Sequence, residues 1–135
     1  MALSVDIGEA LPAVVVHADV HQRNWGSHRH ALANGSALDR SRLITEAAWS
    51  PALLKDTLFP PEKDQPMIAG AAAVFVGHNV VAKPRATSNV RMIDTGSFQA
   101  QGSLTIAELA TDGAYISIPR SSRVQTMVGD WARAA

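Results

Sequence analysis

Two histidines stand directly after apolar, β-branched runs, at the points where predicted strands end. His17 follows residues 13–16 (AVVV), and His78 follows residues 72–76 (AAVFV) after one glycine. Side chains at strand ends in an α/β core converge on a common crevice, and neutral imidazole is the commonest protein ligand for transition metals. This placement makes His17 and His78 candidate metal ligands. From position alone we favour a hydrogen-bonded histidine at each strand terminus, since two histidines alone do not close a metal site.

Two aspartates lie near these histidines in the predicted structure. Asp19 comes two residues after His17, where a carboxylate can orient a ligand imidazole. A turn or cap role explains Asp19 equally well. Asp94 follows the strand predicted at residues 90–93, and it either hydrogen-bonds an imidazole across the crevice or caps the turn formed by Asp94-Thr95-Gly96.

The other three histidines fall in residues 19–41, a polar stretch without a sustained period that predicts a long loop. His28 and His30 are spaced to chelate a metal, but no carboxylate pair is close in sequence. We expect these two to be solvated. Lys83 and Arg85 flank a proline after His78, where they either attract phosphate or are solvated loop residues.

The remaining pattern predicts helices in the first half and strands in the second, the arrangement of an α/β or α+β fold. A helix is expected at residues 42–49, ended by Pro51 or followed by a second turn at 54–58, and residues 59–66 are a proline-rich loop. Strands are expected at 13–17, 72–76, 90–93 and 104–109, and Asp112-Gly113 predicts a hairpin into a strand at 115–118. The tail after Pro119 is expected to be frayed or to form a weak helix that holds Trp131.

Composition restricts the function classes. The 135 residues include 12 Lys+Arg, 12 Asp+Glu and no Cys, so the formal net charge is zero. This size fits one domain, the charge disfavours nucleic-acid binding, and the absence of Cys excludes disulfides and thiolate metal sites. The longest apolar stretch is too short to span a membrane, and residues 1–16 lack the basic start of a signal peptide. We expect a cytoplasmic protein with no membrane or nucleic-acid partner.

Six segments, in this order and spacing, resemble the C-terminal half of the PPP-type metallophosphoesterases. The group includes bacterial and phage serine/threonine protein phosphatases and diadenosine tetraphosphatases. The similarity covers roughly residues 12–109, and its most specific part is Gly-His, a proline, N-x-x-x-IDTG and G-x-LT. The segments are VVVHADV (14–20), Trp25, AAW (47–49), VFVGHNVVAKP (74–84), NVRMIDTGSF (89–98) and GSLTIAEL (102–109).

The resemblance implies a partial calcineurin-like domain at residues 1–118, the C-terminal half of a β-sandwich flanked by helices, followed by a polar tail at 119–135. It also implies that His17 and His78 bind one metal of a two-metal site that hydrolyses phosphomonoesters of proteins or nucleotides. Manganese is the expected ion, with iron, zinc and magnesium as alternatives. Asn79 stands where the family more often has threonine.

Several motifs of the family are missing. Its N-terminal D-x-H, G-D-x-x-D-R-G and G-N-H-[DE] elements are absent, and Asp19-Val20-His21 lies inside the later H-A-D element, so it is not the first ligand pair. Ser50-Pro51 follow Trp49 where the family places a phosphate-holding arginine. We assign no catalytic residue and expect weak or no metal binding and activity in the isolated chain.

This chain begins just ahead of the H-A-D strand, which predicts a separately encoded C-terminal piece that an N-terminal chain would complete. Two alternatives stay open. One is a non-catalytic scaffold or binding module that self-associates through exposed apolar faces and strand edges. The other is a truncated gene product without a function of its own.

Overall fold

A computed structural model describes residues 2–52, 67–120 and 126–131 of the chain. Within these ranges the protein has a mixed α/β structure, and it contains no helix long and apolar enough to cross a membrane. A 3-10 turn occupies His21–Arg23. The helices are α1 (Trp25–Asn34) and α2 (Ala37–Trp49), and the strands are β1 (Ala2–Val5), β2 (Ala13–Val16), β3 (Ala73–Val76), β4 (Arg85–Thr87), β5 (Val90–Met92), β6 (Ser103–Ala107), β7 (Ala114–Pro119) and β8 (Met127–Asp130).

The strands form a five-stranded mixed sheet and a three-stranded antiparallel sheet. The larger sheet has the order β1-β2-β3-β5-β4, in which β2, β3 and β5 are parallel and the two edge strands are antiparallel to their neighbours. The smaller sheet has the order β6-β7-β8. The predicted strands at β2, β3, β5 and β6 and the hairpin into β7 are confirmed. Because β2, β3 and β5 are parallel, their carboxyl ends share one edge of the sheet.

The larger sheet is covered on both faces. One face carries valines that pack with Trp25 of α1 and Ala47 of α2. The other face carries Phe75, which contacts Trp131 edge-on beside Tyr115 of the smaller sheet. All four residues of β3 are buried, as its continuous apolar run predicts.

The IDTG and GSLT motifs meet where the two sheets are joined. Gly96 forms a β-bridge with Ser103, whose backbone N–H donates to the carbonyl of Thr95 at 2.9 Å. Gly96 has a φ of 71°, which favours glycine. A Cβ atom at Gly102 would overlap the carbonyl oxygen of Gly96, so this close approach also requires glycine.

The prediction of a loop at residues 19–41 is wrong, because this stretch contains the 3-10 turn, α1 and the start of α2. Asn24 caps α1 by accepting from the N–H of Ser27, and Ser36 with Asp39 forms a capping box at α2. The two buried residues of α1 are Trp25 and His28. A histidine in the core-facing position therefore hid the apolar period that would have predicted the helix.

The C-terminal tail also differs from its predicted structure. Met127–Asp130 is the strand β8, paired with β7, and Trp131 is buried against Phe75 and Tyr115. These long-range contacts override a local composition that reads as polar and frayed. The edge strands β1 and β4 were not predicted, and the turn and loop predicted at 54–58 and 59–66 lie outside the described residues.

Candidate metal centre

The imidazoles of His17 and His78 lie together at the carboxyl edge of the larger sheet. His17 directly follows β2 and Gly77-His78 follow β3, and these two parallel strands are neighbours. The N–H of Gly77 donates to the carbonyl of His17 at 3.0 Å, which continues the strand pairing to the histidines. The ring centroids are 4.9 Å apart, with the planes tilted by 55°. The structure thus brings together the two residues that the sequence singled out.

Within the described part of the chain, neither ring takes part in a hydrogen bond. His17 is exposed and His78 is half-buried. A histidine that only terminates a strand is expected to satisfy its ring nitrogens with neighbouring polar groups. The nitrogens of both rings therefore have no protein hydrogen-bond partner among the described residues, which leaves them available to a ligand.

The backbone of His78 is held in an unusual conformation. Its φ is 60°, in the left-handed region that costs a non-glycine residue about 1–2 kcal/mol. The next N–H, that of Asn79, donates to the carbonyl of Gly77 at 2.6 Å and closes a tight turn. Gln22, Arg23 and Ser88 also have positive φ angles, so this conformation is not specific to the histidine pair.

The C-terminus of α2 forms the third part of this region. The N–H of Ala18 donates to the carbonyl of Ala47 at 2.7 Å, which fixes the helix beside β2. Trp49 then contacts the His78 ring edge-on, with centroids 5.1 Å apart. Sequence reasoning missed Trp49 and Ser50 as neighbours of the histidines. Both residues stand at the end of the helix predicted at residues 42–49, and this position was the one sequence signal that could have indicated them.

Asp19 and Asn79 both contact Ser50, which joins the two histidine loops to α2. The Asp19 carboxylate accepts from the Ser50 hydroxyl and from the N–H of Val20, each at 2.7 Å. Burial raises the pKa of the Asp19 carboxyl, although both hydrogen bonds oppose this shift. The Asn79 amide donates to the carbonyl of Ser50 over a long 3.5 Å. The contact with Ser50 joins the loop after β2 to the end of α2, and neither hydrogen bond of the Asp19 carboxylate is to a histidine ring.

Asp94 follows β5, the third parallel strand, and its hydrogen bonds are those of a turn. One carboxylate oxygen accepts from the N–H of Gly96 at 2.9 Å, and its backbone carbonyl accepts from Val81 at 2.9 Å. Asp94 thereby orders the residues that follow both β3 and β5. The structure shows this capping alternative, with Asp94 at the same sheet edge as the histidines.

The remaining histidines lie around α1, away from the pair. His28 was expected to be solvated, which is wrong: it is only 1% exposed, stacks on Trp25 and accepts from the N–H of His21 through Nδ1. Burial lowers the pKa of His28. His21 bonds Glu46 at 2.8 Å, and His30 is exposed. These three residues have structural or surface roles.

The donor set fits part of a metal site. In residues 2–52, 67–120 and 126–131, no group of three or more His, Asp or Glu side chains is placed to hold a metal ion. Two imidazoles on their own suit iron or zinc better than manganese or magnesium, which prefer oxygen ligands, and a catalytic metal usually takes at least three protein ligands. His17 and His78 on their own therefore do not form a closed metal site.

An apolar hollow of about 370 Å³ adjoins His17 on the sheet edge. A second hollow of about 380 Å³, between α1 and α2, is lined by neither His17 nor His78. The region around the pair is therefore asymmetric, with polar loops on one side and an apolar surface on the other. The residues lining the hollow beside His17 are Leu3, Val15, Val16, Phe75, Gly77 and Ile93.

Neither protein-family models nor curated protein sequences give a match to this chain. The resemblance drawn from its motifs therefore stands on the residues themselves.

Proposed function

We propose that this chain is the C-terminal portion of a PPP-type metallophosphoesterase, in which His17 and His78 bind a divalent metal ion. The observation that carries the proposal is the meeting of the two imidazoles, 4.9 Å apart, at the ends of adjacent parallel strands. The join of the IDTG and GSLT motifs at Gly96 and Gly102 supports it independently, because both glycines meet a backbone requirement there.

When bound, two divalent ions supply an activated water and a clamp on the phosphoryl oxygens of a phosphomonoester. The residues of this chain bind and orient. Strand pairing sets the separation of His17 and His78, and the edge contact with Trp49 restricts the His78 ring. Ser50 links both loops to α2, which limits the movement of the backbone that carries the two rings.

The remaining ligands and the general acid are proposed to come from an N-terminal phosphatase segment that these 135 residues do not contain. The proposed substrate is a phosphorylated protein or a nucleotide. We propose that the protein acts on it in the cytoplasm. A second candidate is a non-catalytic scaffold or binding module. It is favoured by the lack of a three-ligand group among the described residues and by Ser50-Pro51 in place of an arginine.

Turnover of para-nitrophenyl phosphate with manganese distinguishes these functions. The full chain is assayed alone and with a separately expressed N-terminal phosphatase segment that carries D-x-H, G-D-x-x-D-R-G and G-N-H-[DE]. We expect no turnover alone above that of His78→Ala. With the segment we expect turnover that is lost in His17→Ala and His78→Ala and retained in the surface control His30→Ala.

Two results would overturn the proposal. One is turnover by the complemented mixture that neither histidine substitution reduces, which would remove the metal role. The other is no turnover above the segment alone, which would favour the scaffold. Turnover by the isolated chain well above His78→Ala would contradict the requirement for a second segment.

A further inference from the structure

The outward face of the smaller sheet is aliphatic and exposed. Its side chains belong to β6, β7 and β8, and between 42% and 75% of each is exposed. Strand register places them side by side, because Leu104 pairs with Ile118, and Ile116 pairs with both Ile106 and Val128. We call this surface the aliphatic face. Its members are Leu104, Ile106, Ile116, Ile118 and Val128.

The opposite face of the same sheet buries hydroxyl groups. Thr105 bonds Thr95 at 2.7 Å and Ser117 at 3.1 Å, and Ser117 is completely buried. Antiparallel sheets with one solvated face normally place polar residues outward and apolar residues inward. Ala107 and Tyr115 on the inward face pack against the core, so the sheet carries apolar side chains on both faces. A contiguous exposed aliphatic patch of this kind is often an interaction site.

We infer that the aliphatic face binds a second copy of this chain across a two-fold axis. The five side chains expose on the order of 400 Å², within the range of the largest patch on a typical monomer. Homodimer interfaces are about 65% non-polar. If the aliphatic face supplies that non-polar share on each copy, the two copies together bury roughly 1,200 Å², the lower limit of a stable interface. The zero net charge adds no long-range repulsion between copies.

Charges at the two ends of the aliphatic face determine the direction of the axis. Exposed Glu108 directly follows β6 and exposed Arg120 directly follows β7. Because β6 and β7 are antiparallel, these residues lie at opposite ends of the face. A two-fold axis in the contact plane and perpendicular to the strands exchanges the ends. Each Glu108 then approaches the other copy's Arg120, whereas an axis parallel to the strands would oppose like charges.

The oligomeric state of the full chain tests the interface. Sedimentation equilibrium over a range of concentrations is expected to show a monomer–dimer equilibrium, and Ile106→Lys is expected to raise the dissociation constant by about tenfold or more. Ile44→Lys is the matched control, because Ile44 on α2 is 58% exposed and Ile106 is 56% exposed. Circular dichroism verifies that both variants are folded. A wild-type monomer throughout, or equal weakening by both variants, would overturn the inference.

Charge reversal tests the axis. In Glu108→Arg and Arg120→Glu homodimers, like charges meet across the interface, so each variant alone is expected to dimerise more weakly than wild type. Mixing the two variants restores opposite charges at both ends, so the mixture is expected to form heterodimers about as strong as the wild-type dimer. Equal weakening in the mixture would contradict the perpendicular axis.

Discussion

The indole of Trp49 meets the imidazole of His78 edge-on, with ring centroids 5.1 Å apart and planes at 87°. Trp49 is nevertheless 67% exposed, so α2 ends on a large ring that adds little to the core. An edge-to-face aromatic pair contributes about 0.5–1.5 kcal/mol. The contact is therefore strong enough to restrict the His78 ring without being essential to folding.

Replacement of Trp49 is expected to weaken metal binding more than stability. In Trp49→Ala the His78 ring gains rotamers, so manganese affinity should fall by about 2- to 12-fold, the range that corresponds to the energy of an aromatic pair. Trp49→Phe should retain most of the affinity. Broadening of the His17 ring signal by increasing manganese, which detects weak binding, measures both, with Leu38→Ala, another exposed site on α2, as control. Equal affinity in Trp49→Ala and Leu38→Ala would refute this positioning role.

The left-handed backbone of His78 predicts an unusual order of stabilities. Glycine adopts a φ of 60° without steric cost and alanine does not, so His78→Gly should be more stable than His78→Ala by about 1 kcal/mol. His17 has no positive φ, so there His17→Ala should be more stable than His17→Gly. Urea unfolding of the four variants measures the two differences. The same order at both positions would show that His78 is not strained in solution.

Burial of His28 makes stability dependent on pH. Its pKa is lowered in the folded chain, so between that value and the unfolded value of 6.5 the unfolded state binds more protons. The contribution of neutral His28 to the free energy of unfolding is complete above pH 6.5. It is lost as the pH falls from 6.5 to the lowered pKa of the folded chain. His21 adds to the lowering and Glu46 opposes it.

Thermal unfolding at pH 7.5 and pH 5 measures this effect. The melting temperature of the wild type should fall on acidification by more than that of His28→Asn, whose amide retains an acceptor near the position of Nδ1. The exposed control His30→Asn should fall by as much as the wild type. An equal fall in His28→Asn and wild type would contradict the assignment.

The sequence predicts the buried strands of this protein better than its helices, because local composition reveals those strands. The β-branched runs of β2 and β3 are buried on both faces, so composition alone identifies them. Helix α1 buries only Trp25 and His28, and a histidine is not counted as apolar. Strand β8 depends on pairing with β7 and on Trp131, which are long-range contacts that local composition does not reveal.

The sequence predicted the two histidines of the candidate site but not the contacts that hold them in place. Two strand ends next to histidine are visible in the sequence, and parallel pairing brings them together. The role of Asn89 in the N-x-x-x-IDTG motif became visible only in the structure. Its amide accepts from the N–H of Ile68 and donates to the carbonyls of Ile68 and Ala71, all at 2.9 Å, which fixes the chain entering β3. Such bonds join residues about 20 positions apart, so sequence spacing does not disclose them.

Paramagnetic broadening of the histidine ring resonances by manganese tests the central claim most directly, because it requires no catalytic activity. The chain has five histidines, each identified by its own substitution to glutamine. At low manganese concentration, the signals of His17 and His78 should broaden together and before that of exposed His30. Substitution of either histidine should reduce the broadening of the other histidine's signal. Broadening of His30 at the same concentration, or unchanged broadening of His17 in His78→Gln, would contradict a shared metal centre.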